Sequence, residues 1–576
     1  MNKLFASIAF AASALAFASC SNDDPVVEQG SAADDGGKFY ATITLSLPEG
    51  SRSSTTTPDD NTNSDSGYEV GLPQENAVGS VLVVLASKDD NEKYTCITTS
   101  VADAKLTAEG NKNTMPTYSV AFQSEDLLNK AGEKVYVFAY CNPTAALVEA
   151  FNGQSGKDFT ELIGNIEAGS ISGSNAFLMS NKEIVSKDLP EKDDLLATYN
   201  TQDKPFYLGP VKVARVTARF DFQPTSRDGI LNAYPIYREG SKTVYANIVL
   251  DGMALMNEAK EYYYLPRVSA DGEDAAINLC GPEYPFLSGE NVPLGSYVVS
   301  PNVANKKANP LDLSWVKGAY SYTHFTAAGD AIDFSAIDYE AIPAKGDGVQ
   351  EDNPDDTTWK GPLNKSGYIV WKYVTENTIP GVDNQRKAVT TGIAFRARLE
   401  PSIVNQKLKE FMATGKPLYA VNNTIIEGFD ELKKMVVAQP NSSIAEGFKA
   451  AFGLENLDDL DSKDLDETKL NGSHGITVYR STKVGEKYVY YMYYAYYNRH
   501  NDNDNNTVMG PMEFAVVRNN VYKLYVDNIN TYGHPGDPKD DPDPEKPGDP
   551  DESPKTYFTV DVKVVPWVVR VNKITL

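Results

Sequence analysis

The sequence predicts an all-β protein with minor helices, organised as β-sandwiches in two domains. Its 576 residues exceed what one hydrophobic core usually holds, so two domains are the default expectation. Short runs of alternating apolar and polar residues recur along the chain, separated by clusters of Gly, Pro, Asn and Asp, which is typical of sandwich strands. Helix-like spacing is confined to a few segments. The helices are therefore expected to decorate a β framework.

The first predicted strand has one apolar face, formed by Phe39, Ala41, Ile43, Leu45 and Leu47. These residues alternate with mostly polar ones, as expected for a strand with one buried face. Further strands are predicted at Ser80 to Ala86, Lys134 to Tyr140, Ala214 to Phe222, Thr243 to Leu250, Tyr368 to Val374, Lys387 to Leu399, Lys487 to Tyr497 and Phe514 to Val526. Helices are predicted at Ser124 to Lys130, Asn142 to Phe151, Ser402 to Thr414, Gly428 to Val437 and Ser443 to Phe452.

The composition argues against several classes of partner. The formal net charge is −26 and the pI is near 4.6, so the protein repels phosphate backbones and anionic lipid surfaces. Hydrophobic residues make up 41% of the chain, which is ample for packed cores. We expect a folded protein that does not bind nucleic acid.

No motif in the sequence points to catalysis. The histidines His324, His474, His500 and His534 lie in unrelated contexts without metal-site spacing. Asp502 and Asp504 alternate as in a calcium loop, but the required Gly and Glu do not follow. Neither a phosphate-binding glycine loop nor a nucleophile elbow is present. We therefore expect no catalytic residue, no metal and no cofactor.

The first residues predict export. Lys3 precedes an apolar run, Leu4 to Phe17, that is about as long as a secretory h-region and too short to span a bilayer. Ala18, Ser19 and Cys20 follow, resembling the bacterial lipobox in which the cysteine is lipidated. We assign residues 1–20 as a lipoprotein signal peptide and Cys20 as the lipidation site. An ordinary cleavage site with a chance cysteine stays an alternative.

The remaining cysteines do not form a recognisable disulfide framework. Cys96, Cys141 and Cys280 are widely spaced, and such thiols usually pack as small apolar residues. A bond between Cys96 and Cys141 stays open at this point.

Composition also places the domain boundaries. Arginine is almost absent before residue 215 and frequent after it, so we place a domain boundary near residue 210, followed by a C-terminal domain with insertions, 210–534. Residues 535–555 are rich in Asp and Pro, which favours an extended, unpacked spacer. Residues 556–576 then return to strand-like patterns, with a second run beyond Pro566 that continues to Leu576.

Two features in these segments call for a functional explanation. Arg52 is the sole arginine of the first 214 residues and lies in a polar loop rich in Ser, Thr and Asp. Near the other end, an apolar strand-like run closes the chain, and an unpaired strand of that kind invites edge-to-edge association.

The motifs at both ends resemble those of the type V pilins of Bacteroidales, in particular the minor-fimbrium shaft fimbrillins. The resemblance rests on the lipobox-like start, "LPEGSR", "YVYYMYYAYYN", "AVVRNNVYKLYVDNI", the Asp/Pro spacer and "FTVDVKVVPWVVRVNKITL". Its best-defined stretches are Val516 to Ile529 and Thr559 to Trp567. Residues 225–480 show no distinctive motif.

The resemblance implies two transthyretin-like β-sandwich domains and a specific mode of assembly. An arginine-specific protease would cut after Arg52, at the end of a propeptide, 21–52, that contains the first strand, and would leave an N-terminal β-sandwich domain, 53–209. The vacated groove would take the C-terminal strand of a neighbouring subunit by β-augmentation. The donor residues would be Trp567, Val569, Val571, Ile574 and Leu576. Identical subunits would then form a head-to-tail filament, because such a contact does not close.

The same resemblance implies further partners and leaves alternatives. Anchor and tip accessory subunits, and host or bacterial surface receptors, are the expected partners, with roles in adhesion and biofilm formation. A fimbrial anchor subunit would stay lipidated and uncut. A glycan-binding surface lipoprotein could use the seven tyrosines between Tyr488 and Tyr497 as a sugar platform, although aromatic residues are also preferred strand formers.

Overall fold

The computed structural model describes most of the chain. The described residues are 37–46, 69–70, 73–90, 93–103, 116–152, 156–166, 172–173, 176–227, 230–238, 240–269, 272, 278–279, 297–309, 311–343, 368–379, 381–421, 423–457, 460, 465–472, 475–497, 513–552 and 558–568. For 558–568 the description is limited to the backbone. The fold is mostly β with minor helices, as predicted.

The N-terminal region is built on one large sheet. Its strands are, in order across the sheet, Tyr94–Asp103, Ser80–Lys88, Lys134–Cys141, Met179–Asn181, Phe206–Arg215, Lys38–Ser46 and Thr117–Gln123, with Val185–Asp188 pairing beside Lys134–Cys141. The two ends of this sheet approach each other, since the Ala121 amide donates to the Ser100 hydroxyl over 3.3 Å. The sheet therefore curls around a core of apolar side chains that includes Val83, Phe122 and Val137.

The C-terminal region contains two sheets that share one core. The first sheet has the order Glu69–Val70, Phe558–Val568, Asn520–Ile529, Thr217–Gln223 and Ile369–Thr375. The second has the order Ala233–Tyr237, Val244–Met256, Gly392–Pro401, Lys487–Tyr497 and Ser481–Val484, with Glu340–Ala341 beside Val244–Met256. Phe222 of the first sheet and Phe395 of the second meet with ring centroids 6.1 Å apart. This arrangement packs the two sheets face to face.

Short strands and helices complete the structure. The short strands are Ile163–Asn165, Ser172–Gly173, Ala176–Phe177, Ser226–Arg227, Ile230–Leu231, Glu258–Ala259, Glu261–Tyr263, Arg267–Ser269, Asn278–Leu279, Tyr297–Val298, Tyr320–Ser321, Leu418–Val421, Thr424–Ile426 and Thr477–Tyr479. The α-helices are Pro73–Asn76, Ser124–Leu127, Ala145–Phe151, Lys192–Ala197, Val303–Ala308, Leu313–Ala319, Gln406–Met412, Phe429–Ala438 and Ser443–Phe452. Within the part of the chain described above, no helix is long and apolar enough to cross a membrane.

The chain passes between the two regions six residues later than the composition suggests. Strand Phe206–Arg215 still belongs to the N-terminal sheet, and the change of sheet falls at Val216, before Thr217–Gln223. The reason is that the arginines that mark the composition shift are themselves interdomain residues. Arg219 pairs with Glu75 at 3.0 Å and with Asp221 at 2.8 Å, and all three side chains are at most 1% exposed.

This buried ion network fixes the two regions to one another. Helix Pro73–Asn76 brings Glu75 against the C-terminal sheet, where the Tyr373 hydroxyl also donates to it over 2.5 Å. Arg215 donates through Nε to the Glu75 backbone carbonyl over 3.1 Å. Breaking a buried pair of this kind typically costs about 3–5 kcal/mol, because it leaves an uncompensated charge.

The predicted spacer is wrong where the structure describes it, because residues 535–552 pack against the C-terminal region. We call residues 534–552 the strap. Its backbone bonds to the body at several points, for example through Ala388 N to Pro547 O at 2.9 Å and Ile332 N to Glu545 O at 2.8 Å. Its acidic side chains have basic partners far away in sequence. Arg480 and Asp540 form a bidentate salt bridge, with Nε to Oδ2 at 2.6 Å and Nη2 to Oδ1 at 2.9 Å.

Buried titratable groups hold the strap. His534 Nδ1 lies 2.6 Å from Asp541, and Lys387 Nζ lies 3.0 Å from Glu545. Burial alone would lower the pKa of His534, but its hydrogen bonds to Asp541 and Glu545, and their charges, raise it to about 9. Asp551 accepts a hydrogen bond from the Thr390 hydroxyl, yet burial raises its pKa to about 7.

We predict that Asp551→Asn makes the stability of the protein less dependent on pH. The folded pKa of Asp551 lies above the ordinary value of 3.8, so its contribution is fully present below pH 3.8 and is lost as the pH rises through 7. The neutral amide avoids that loss, so the variant should exceed the parent in free energy of unfolding at pH 8 by roughly 1–3 kcal/mol. Denaturant unfolding at pH 5 and pH 8 measures the effect.

Asp537→Asn is the matched control for this experiment. Asp537 is an exposed strap residue that accepts the Lys539 amide hydrogen bond at a helix start, and Asn performs that role equally well. Its unfolding should follow the parent at both pH values. An Asp551→Asn protein that loses as much stability as the parent between pH 5 and pH 8 would contradict the assigned burial of this charge.

Candidate assembly site

Strand Lys38–Ser46, which we call the leading strand, occupies an inner position of the N-terminal sheet. On one edge it pairs antiparallel with Thr117–Gln123, from Lys38 opposite Gln123 to Thr44 opposite Thr117. On the other edge it pairs parallel with Phe206–Arg215, from Ala41 opposite Phe206 to Ser46 opposite Lys212. Both rows of backbone groups are therefore engaged.

The alternating side chains of the leading strand fill the core beneath it. Phe39, Ala41, Ile43 and Leu45 are all 0% exposed. The Phe39 ring contacts Tyr199 and Phe206, with centroid distances of 6.2 and 5.8 Å. Full burial of a large apolar side chain contributes about 1.5–3 kcal/mol. The predicted apolar face is thus present in the core as far as Leu45, whereas Leu47 lies outside the described residues.

A glycine in the neighbouring strand shapes the slot in which the leading strand lies. The parallel register shifts between Thr42, opposite Tyr207, and Ile43, opposite Gly209. Gly209 has φ +108, in the region that favours glycine. This irregularity is a β-bulge in Phe206–Arg215. The residues before and after the bulge both pair with the leading strand.

Strand Thr117–Gln123 depends on the leading strand for its place in the sheet. Among the described strands its only ladder partner is the leading strand. Additional bonds link its ends to the same segment, since Ser124 N donates to Gly37 O over 2.7 Å and Leu45 N donates to Pro116 O over 2.9 Å. Loss of the leading strand would leave this edge and the edge of Phe206–Arg215 facing an open slot.

At the other end of the chain, Phe558–Val568, which we call the C-terminal strand, lies in its own C-terminal sheet. It pairs antiparallel with Asn520–Ile529, from Ile529 opposite Phe558 to Asn520 opposite Pro566. Trp567 and Val568 extend beyond that partner and pair in parallel with Glu69 and Val70. One continuous strand thus crosses Pro566, where the sequence pattern predicts a break between two strands.

Several predicted site residues lie outside the described residues. They are Cys20, Arg52, Val569, Val571, Ile574 and Leu576. Trp567 is described by its backbone, at the end of the C-terminal strand. The structure therefore describes the strand that is predicted to be removed and the two strands that flank it. The cleavage loop and most of the proposed donor stay predictions.

The structure answers the alternatives that concern other residues. Cys96 and Cys141 are free, buried thiols, and burial raises the pKa of Cys96 to about 11. Tyr490 and Tyr494 are 0% exposed and belong to the C-terminal core, so this tyrosine-rich strand serves packing. Among the described residues no cluster of His, Cys, Asp and Glu could hold a metal ion.

Comparison with solved structures gives weak matches to fimbrial proteins. The fimbrillin FimA of Porphyromonas gingivalis W83 aligns with 93% of this chain and 99% of that chain, at 13% identity and a TM-score of 0.36. The tip fimbrial protein Mfa3 of Porphyromonas gingivalis, with C-terminal truncation, aligns with 92% of this chain and 100% of that chain, at 8% identity and a TM-score of 0.32. These scores are too low to carry a structural argument.

Comparison of the sequence with protein families gives one match, in the C-terminal region. No curated protein matches the sequence. Residues 488–573, however, match the family model described as major fimbrial subunit protein type IV, fimbrillin, C-terminal. The matched segment contains the tyrosine-rich strand, strand Asn520–Ile529, the strap and the C-terminal strand. This C-terminal region is therefore similar to the C-terminal part of the major fimbrial subunits that the family model describes.

Proposed function

We propose that this protein is a shaft subunit of a cell-surface fimbrium, assembled by exchange of the leading strand for a neighbour's C-terminal residues. It is exported as a precursor lipidated at Cys20 and clipped after Arg52. The observation that carries the proposal is the inner position of the leading strand, with both edges paired and four side chains fully buried. A removable strand at such a position leaves a slot that only another strand can refill.

Clipping changes the competition for this slot. Before cleavage the leading strand belongs to the same chain as the slot, so its effective concentration excludes other strands. Cleavage after Arg52 turns the leading strand into a separate peptide whose departure is no longer reversed by a tether. An incoming strand must then run parallel to Phe206–Arg215 and antiparallel to Thr117–Gln123 to restore both ladders.

The pairing of the C-terminal strand supports donation of the residues that follow Pro566. Up to Pro566 the strand is held along Asn520–Ile529 of its own sheet. Beyond Pro566, the pairing that the structure describes is limited to Glu69 and Val70. Donation would require release of Trp567 and Val568 from Glu69 and Val70, while the ladder with Asn520–Ile529 keeps the preceding part of the strand in its own sheet.

This geometry makes the contact between subunits heterologous. The slot lies in the N-terminal sheet and the donor leaves the C-terminal sheet, so each subunit offers one of each and the chain of contacts stays open. Identical subunits in a head-to-tail filament are the main partners. Anchor and tip subunits end the filament, an arginine-specific protease starts its assembly, and surface receptors contact it.

We predict that Arg52→Ala yields an exported precursor that does not polymerise. The uncut leading strand keeps the slot filled, so SDS-resistant ladders on gels and filaments in electron micrographs should be absent. N-terminal sequencing of surface material should begin at Ser53 for the parent and at the lipidated Cys20 for the variant.

A rescue variant serves as the control for the loop itself. Arg52→Ala with a recognition site for an unrelated protease inserted in residues 53–65 should polymerise after that protease is added. Parent fimbriae that retain residues 37–46 would contradict the proposed exchange and favour an uncut anchor subunit.

We predict that deleting residues 567–576 removes the donor and spares the fold. The truncated protein keeps the strand as far as Pro566, hence its whole ladder with Asn520–Ile529, and should unfold close to the parent in a thermal scan. When the truncated protein is clipped in the absence of other subunits, it should give no SDS-resistant ladder on gels.

The two variants together test the direction of the contact. In the Arg52→Ala protein the tethered leading strand fills the slot and the donor is present. In the clipped deletion variant a donor from another subunit can replace the untethered leading strand, but the variant has no donor of its own. Their mixture should give one SDS-resistant heterodimer and nothing larger. Higher oligomers in this mixture, or a ladder from the deletion variant alone, would overturn the assignment of residues 567–576.

A further inference from the structure

A lysine and an asparagine side chain meet in a buried position of the C-terminal region, far from the leading strand in sequence. Lys306 in helix Val303–Ala308 and Asn377 after strand Ile369–Thr375 are each 1% exposed. The Nζ atom of Lys306 lies 2.8 Å from Oδ1 of Asn377. The two residues are 71 positions apart in the chain.

We propose that Lys306 and Asn377 form an intramolecular isopeptide bond between Nζ and Cγ, with release of ammonia. In this reaction the Nζ lone pair adds to Cγ, a proton passes from Nζ to Nδ2, and the Cγ–Nδ2 bond breaks. One amide is consumed and one amide is formed, so the step needs no oxidant, cofactor or energy source. The bond lies within one subunit and does not depend on the assembly proposed above.

The surroundings hold both reacting groups in place. The Asn377 backbone pairs with Val516 through bonds of 2.8 and 2.9 Å. Its Nδ2 atom donates to Val389 O at 2.9 Å and to Thr391 Oγ1 at 3.0 Å. The Lys306 amine contacts Ser300 Oγ at 3.0 Å and Thr378 O at 2.7 Å. Because the fold already holds the two groups at contact distance, the reaction does not have to pay the entropy cost of bringing two reactants together.

The electrostatics of the site favour the nucleophilic form of the lysine. Burial lowers the pKa of Lys306 to about 7, against the opposing charge of Glu376. A neutral amine is the reactive form, and buried lysines become nucleophiles in this way. Glu376, 0% exposed, is held by Arg518 through bonds of 3.0 and 3.1 Å. Arg518 therefore fixes the position of the Glu376 carboxyl group.

The side-chain oxygen and nitrogen of Asn377 also have partners suited to the reaction. The Tyr320 hydroxyl lies 3.4 Å from Asn377 Oδ1, where negative charge develops as Cγ becomes tetrahedral. The two acceptors of Nδ2 can bind the extra proton on the leaving nitrogen. Tyr320 itself belongs to a buried apolar cluster with Val316, Ile379, Ala388 and Val389, which limits the access of water from that side.

Mass spectrometry of the purified, folded full chain tests this proposal. After incubation at pH 8, where most Lys306 amines are neutral, tryptic digestion should give one branched peptide joining residues 268–307 to residues 373–386. Its mass should be the sum of the two linear peptides less one ammonia, about 17 Da. Trypsin should not cut after Lys306, because the acylated side chain is no longer recognised.

Variants assign the bond to this pair. Lys306→Met and Asn377→Ala should each abolish the branched peptide, whereas Lys317→Met, which changes an exposed lysine of the next helix, should retain it. Linear peptides of unchanged mass in the parent would overturn the proposal, and the lysine would then be a buried structural side chain. A loss of about 17 Da on the linear 373–386 peptide would mean a cyclised asparagine and would overturn it equally. The parent digest decides the question even if a variant fails to fold.

Discussion

The N-terminal sheet depends on the leading strand, which pairs with one strand on each side. Among the described residues no other strand pairs with these two facing edges. Phe206–Arg215 and Thr117–Gln123 each present a row of N–H and C=O groups to the leading strand, and buried polar backbone without a partner is costly. The large side chains Phe39, Ile43 and Leu45 add burial of about 1.5–3 kcal/mol each. Loss of the leading strand would leave these backbone groups unpaired and the core exposed, unless another strand took its place. In the proposed mechanism this requirement couples the fold of the monomer to assembly.

The buried charges determine how the rest of the molecule responds to that replacement. Glu75 follows the cleavage loop in sequence and is pinned to Arg219 in the C-terminal sheet. Helix Pro73–Asn76 is therefore anchored on the C-terminal side of Arg52, so the proposed cut would leave the interface between the two regions in place. At the other end, the strap is fixed to the C-terminal region by Lys387, Arg480 and Thr390.

The sequence predicts the local elements well, because alternation and helical spacing record which side of each element is buried. Helix Ser443–Phe452 and strand Lys487–Tyr497 have the bounds that the pattern predicts. The pattern cannot show what a charged segment meets in space. The strap appears unpacked in the sequence, since its Asp and Glu residues repel one another locally, yet Arg480 and Lys387 neutralise them from 60 and more than 100 positions away.

The candidate site shows the same division between local and long-range information. The apolar face of the leading strand and the exceptional position of Arg52 are visible in the sequence, because each depends on neighbouring residues. The two partners of the leading strand, and the meeting of Lys306 with Asn377, depend on the path of the chain between them. No periodicity records that path, so the slot and the lysine–asparagine pair could be found only from the structure.

The pairing of the leading strand also implies that the proposed cleavage and exchange would be separate events. After the proposed cut the leading strand would lose its covalent link but keep both ladders, so the cut alone would not expel it. Its departure becomes irreversible only when a second strand takes over the freed backbone groups, one pair after another. A donor attached to a folded subunit can begin this takeover at one end of the slot. The structure thus favours a stepwise replacement over an intermediate with an empty slot, since that intermediate would expose the full apolar floor of the N-terminal sheet.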